Sequence, residues 1–155
     1  MFVSRPARWS GFASLIWVVI AGAAGAVGPA APADTLTPRE VVAAQLEALR
    51  ENTPAGLARV FAFASPANQA VTGPSARFAQ MLRAAYPELL GHRSAHYGEL
   101  LIEDGAAAQA VEIIAADGHG HRYVFMLSKQ AGGDCTGCWL TDGVVNASED
   151  SGLAI

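Results

Sequence analysis

The pattern richest in chemistry is Cys135-Thr136-Gly137-Cys138, two cysteines three positions apart. That spacing suits a disulfide, a thiol redox pair or half of a metal site, and the neighbouring residues weigh between these. A haem attachment site needs His after the second cysteine, and here the residue is Trp139. A thioredoxin-like thiolate needs the motif at a helix start, where the backbone amides stabilise it, whereas this one lies between a glycine-rich turn and a strand. Zinc needs four ligands, and His119 and His121 are the obvious supplements. His121 opens the strand whose end precedes the cysteines, so about nine residues at roughly 3.3 Å each separate the groups by some 30 Å. The expectation is a local disulfide between Cys135 and Cys138, with redox exchange as the alternative, since a short-loop disulfide can be easily reduced. No metal site and no cofactor are expected.

Acid–base chemistry has its own candidates. His96 shares a strand face with Leu100 and Ile102, which makes it the best single general base for an enclosed pocket. Glu99 lies three positions on, hence on the opposite face, and can join His96 only if Gly98 forms a bulge. Asp142 alternates with Leu140 and Val144 and so could point inward as a second base, with Tyr123 or Tyr97 as the acid. His92 falls at a helix-to-strand handover and is expected to be solvated, as are His119 and His121. Gln109, in a row with Val111 and Ile113, is a polar group on an apolar face that must find a partner. Together with Asn68, Gln69 and Asp142 it could supply the few polar contacts of a mostly apolar ligand pocket. Pairing with nearby backbone explains each of these four residues as well as a ligand does.

The elements that must position these residues follow from local signals. Thr37-Pro38-Arg39-Glu40 combines a hydroxyl N-cap, proline at the first helical position and glutamate at the third, so a helix starts there. Val42, Leu46 and Leu49 form its apolar stripe, and it ends near Asn52. Thr53-Pro54 repeats the entry signal for a second helix, which carries Leu57, Val60, Phe61 and Ala64 and stops before Pro66. A polar loop fenced by Pro66 and Pro74 comes next, placed to line or lid the mouth of a pocket. A third helix then runs through Phe78, Met81, Leu82 and Ala85 to Tyr86-Pro87.

From Ser94 the period becomes two. Strands are expected over 94–103, 107–115, 121–130 and 137–145, separated by Asp104-Gly105, Asp117-Gly118-His119-Gly120 and Ala131-Gly132-Gly133-Asp134 as hairpin turns. The third strand is apolar on both sides and therefore central or covered. Gly98 and Gly143 mark bends or bulges. The predicted fold class is α+β: three N-terminal helices packed on one face of a curved four-stranded antiparallel sheet.

Size and composition set the outer bounds. With 155 residues, 52% of them apolar and 15% charged, the chain has material for one domain with a substantial core. Arg5 and Arg8, the apolar run from Leu15 to Val27 and the small residues before Asp34 read as a cleavable signal peptide over 1–33. Gly22, Gly25 and Gly28 break that run short of the roughly 20 residues a spanning helix needs, so no permanent membrane anchor is expected. Export would place the domain, residues 34–146, in the periplasm or outside the cell, and residues 147–155 would form a disordered acidic tail. The chain holds 10 basic and 14 acidic residues; losing Arg5 and Arg8 leaves 8 against 14, a net charge of −6. Such a surface repels phosphate backbones, so nucleic acid is not an expected partner.

Several segments carry a resemblance. Gln45-Leu46 with Ala48-Leu49, the run Phe61-Ala62-Phe63-Ala64-Ser65-Pro66-Ala67-Asn68, Phe78-Ala79, Tyr86-Pro87 and Gly137-Cys138-Trp139-Leu140-Thr141-Asp142-Gly143-Val144 resemble a family of uncharacterised proteins from bacteria, plants and algae, classed as a domain of unknown function. The helices-then-sheet order is in turn similar to the cone fold of nuclear transport factor two and of polyketide-cyclase-like enzymes, a cystatin-like architecture. What the resemblance implies is a pocket rather than a particular reaction, and a homodimer formed through the sheets. Cys135, Asp134 and the His119-Gly120-His121 turn depart from the family pattern. The resulting expectation is an exported, non-catalytic domain that binds a small apolar molecule or a protein partner. Its rivals are a cofactor-independent isomerase or cyclase using His96 or Asp142, and a redox role for the cysteines.

Overall fold

A computed structural model describes residues 31–148. Residues 1–30 of the expected leader and the tail beyond Ser148 lie outside the described residues. Four α-helices, α1 (Pro38–Glu51), α2 (Pro54–Ala62), α3 (Pro66–Thr72) and α4 (Ser75–Ala85), and a 3-10 turn at Pro87–Leu89 precede four strands. The strands are β1 (Ser94–Glu103), β2 (Ala106–Ile114), β3 (Gly120–Lys129) and β4 (Trp139–Asn146). They form an open antiparallel sheet in the order β1-β2-β3-β4. No described helix is long and apolar enough to cross a membrane.

The three anticipated helices are α1, α2 and α4. Where a loop was anticipated between Pro66 and Pro74, the chain makes a further helix, α3. Its entry is the same as the two before it: Ser65 is extended and its side chain accepts a hydrogen bond from the Asn68 amide, while Pro66 takes the first helical position. Proline therefore ends α2 and begins α3 at once. At the head of α1 the full capping box forms, with Thr37 and Glu40 each satisfying the other's amide.

Core side chains come from one face of the sheet and from the helices over it: Val41, Leu46 and Leu57 against Val111, Ile113 and Phe125, each at most 2% exposed. On the other sheet face Leu101, Met126 and Val145 are 50–58% exposed. Both anticipated irregularities in the sheet occur. The β1–β2 register shifts between Tyr97 and Leu100, beside Gly98. The β3–β4 register shifts so that Met126 faces Gly143 and Leu127 faces Thr141, leaving Asp142 without a partner across the ladder. At the end of the described residues the Ala147 amide donates to Arg122 O and the Ser148 hydroxyl accepts from the Arg122 amide.

Candidate functional site

Thr141 is the junction from which the site is built. Its amide donates to Phe63 O at 2.8 Å, and its carbonyl accepts from the Ser65 amide at 2.9 Å, a short parallel bridge between the outer edge of β4 and the α2–α3 corner. The same carbonyl accepts from Asn68 Nδ2 at 3.1 Å, and the Thr141 hydroxyl donates to Gln45 Oε1 of α1 at 2.8 Å. One residue of β4 thus holds α1, the α2–α3 corner and α3. The Phe-Ala-Ser-Pro and Gly-Cys-Trp segments that carry the resemblance are the two sides of this bridge.

Beside the junction the layers separate around a cavity of about 460 Å³. Its walls are Leu49, Val60, Phe78, Leu82 and Leu89 from the helical side, and Phe125 from the sheet. All six are buried. Polar groups are few: Gln45 and Thr141 are 2% exposed at the bottom, and Asn68 and Thr72 of α3 are half-buried. Tyr86 closes one side and donates from its hydroxyl to Val144 O at 2.9 Å. Ala67, Val71 and Asp142 border the cavity and are exposed, which identifies them as its rim. A volume of this size with mostly apolar walls matches small-molecule sites in general.

The residues singled out from sequence divide between this cavity and other places. Asn68 and Asp142 border it. Gln69 does not; its amide donates to Phe61 O and Ala64 O and so satisfies carbonyls at the end of α2. Gln109, fully buried, also lies elsewhere. Its Nε2 reaches Gly98 O, Glu99 O and Ala110 O at 2.9–3.2 Å, which fastens the β1 bulge to β2. Asp142 sits at the rim rather than inside because it is the extra residue of the β4 bulge, and its carboxylate accepts from the Ser128 hydroxyl at 3.0 Å.

His96 is on the other face of the sheet. The bulge after Tyr97 breaks the alternation that would have aligned it with Leu100: Leu100 packs on the core, while His96 is exposed opposite Glu112. Glu99 joins it there, at a shallow depression shared with Arg122, and no hydrogen bond links the two among the described residues. Tyr97 is half-buried on the core side under the Arg39 guanidinium, 4.7 Å from the ring centre. Tyr123 is buried in the core, and its hydroxyl donates to Glu88 at 3.0 Å. Burial, and then the Glu88 carboxylate, push that phenol far above its ordinary value.

His92 was expected in solvent and is instead 4% exposed, its Nδ1 2.8 Å from Leu89 O. A carbonyl only accepts, so the neutral ring carries its proton on Nδ1. His119 is exposed and pairs with Asp117. Among the described residues no three His, Cys, Asp or Glu side chains converge as a metal site. Cys135 and Cys138 pair as a disulfide with Cα atoms 5.5 Å apart, at the β3–β4 hairpin and away from the cavity lining.

Sequence reading passed over Gln45 and Thr141. The signal for Gln45 was present: it stands three after Val42 and four before Leu49, a polar amide inside the apolar stripe of α1. Thr141 carries no such signal, because its role depends on the unpaired edge of β4 meeting a corner nearly eighty residues earlier. Comparison with curated proteins and with solved structures gives no match. The family model described as a domain of unknown function, DUF4864, matches residues 31–151, and the chain belongs to that family.

Proposed function

We propose that this protein is a non-catalytic binding module whose cavity between the helices and the sheet takes a small apolar molecule. The observation that carries this reading is the cavity of about 460 Å³ walled by buried aliphatic and aromatic side chains. A well-packed domain leaves few voids larger than a water, so an apolar space of this size beside an exposed rim is suited to an occupant. The helices and one sheet face would act as a cone-like enclosure, with α3 as its lip. The volume fits a small molecule better than a segment of a protein partner. An acid–base enzyme has less support, because His96 and Asp142 both face solvent and Tyr123 is engaged by Glu88. The charged start and apolar run of the first 33 residues support export to the periplasm or beyond, where the Cys135–Cys138 disulfide would persist.

Native mass spectrometry of the purified protein tests the reading. The expected result is a discrete bound mass that organic extraction removes, leaving a protein that takes up an apolar fluorescent probe. A protein that carries no such mass and takes up no probe would overturn it.

A further inference from the structure

The bottom of the cavity presents a hydrogen-bond donor with no protein acceptor. Gln45 is 2% exposed, borders the cavity and uses Oε1 to accept from Thr141. Its Nε2 makes no hydrogen bond among the described residues. Because Gln45 borders the cavity, a ligand that brings an acceptor oxygen to this point can take a hydrogen bond from Nε2 while Oε1 stays engaged by Thr141. Two atoms define the polar end of the site: the Gln45 Nε2 donor and, beside it, the Thr141 hydroxyl.

Charge narrows the ligand further. Among the described residues the lining contains no Lys, Arg or His, and its one acidic side chain, Asp142, stands at the rim. An anionic head group drawn to the bottom would lose its hydration with no counter-charge to replace it, and would pass a carboxylate on the way in. A cationic head group could meet Asp142 only at the rim, where that carboxylate already accepts from Ser128.

We propose that the ligand is a neutral, largely apolar molecule with an acceptor oxygen, a carbonyl such as that of a ketone or ester, which receives a hydrogen bond from Gln45 Nε2. This rests on the ligand-pocket reading above. The cavity's 460 Å³ holds roughly 15 groups of water size at about 30 Å³ each, which sets the scale of the molecule.

The test uses three probes of equal chain length, undecane, methyl nonyl ketone and undecanoate, competing with the fluorescent apolar probe N-phenylnaphthylamine on the full chain. The ketone should compete roughly tenfold more tightly than either of the others. In Gln45→Met, whose fold is checked by circular dichroism, the roughly tenfold preference for the ketone over undecane should disappear. Equal competition by ketone and undecane on the unaltered protein would overturn the acceptor assignment and leave the pocket reading standing. Undecanoate as the tightest competitor would overturn the neutral-ligand assignment. Failure of the protein to bind N-phenylnaphthylamine at all would remove the pocket reading and this inference together. The series on the unaltered protein decides the matter even if Gln45→Met does not fold.

Discussion

Gln109 and Asp142 show what single residues disclose and withhold. That Gln109 is a polar group in an apolar row was legible, and so was its need for a partner. Its partners are three carbonyls around a bulge, and only the three-dimensional register could reveal them. For Asp142, strict alternation fails because one inserted residue in β4 moves it off the inward face. His92 leads to a prediction at this scale. Burial first, and the nearby Arg50 charge, lower its pKa below the ordinary 6.5, against the opposing effect of the Leu89 carbonyl. The unfolded chain therefore takes up the proton at a higher pH than the folded one. The contribution of His92 is intact above about pH 6.5 and is lost as the pH falls toward the depressed folded value. Urea unfolding of the protein and of His92→Gln across pH 5 to 8 should show the stability difference between them shifting against the histidine form below about pH 6.5. A difference that does not change with pH would contradict this account.

At the scale of elements the local signals were strong. Thr37-Pro38 and Thr53-Pro54 place two helix starts, and period-two alternation with glycine turns places all four strands within about two residues. Ser65-Pro66 carries the same message as those threonine-proline pairs, and α3 was missed because Pro66 was read only as a stop for α2. The crossing of α1 and α2 was not legible at all. It depends on Gly56, where an added Cβ would lie 2.6 Å from Ala48 O and 3.2 Å from Thr53 Oγ1. Alanine is favoured over glycine by about 1 kcal/mol inside a helix, so propensity alone makes Gly56→Ala stabilising. The backbone contact with α1 should outweigh that gain, and the variant should lose about 1–3 kcal/mol in urea unfolding. A rise in the urea midpoint for Gly56→Ala would show that the two helices have room to separate.

Across the whole molecule the sequence disclosed two layers and an acidic, apolar-rich domain, but not where the layers part. The cavity lies beside the Thr141 junction, which ties the α2–α3 corner and α3 to β4, and Tyr86 at the end of α4 closes one side of it. The opposite sheet face, with Leu101, Met126 and Val145 exposed, is a second apolar surface to which a hydrophobic probe could adhere. The most direct measurement must therefore separate the two. Ala67 and Ala70 are both exposed on α3, but only Ala67 borders the cavity. N-phenylnaphthylamine should bind the unaltered protein and Ala70→Trp with equal affinity, and should bind Ala67→Trp at least about tenfold more weakly, because the indole fills the mouth. Unchanged affinity in Ala67→Trp would place the probe outside the cavity and contradict the claim that this space is the ligand site.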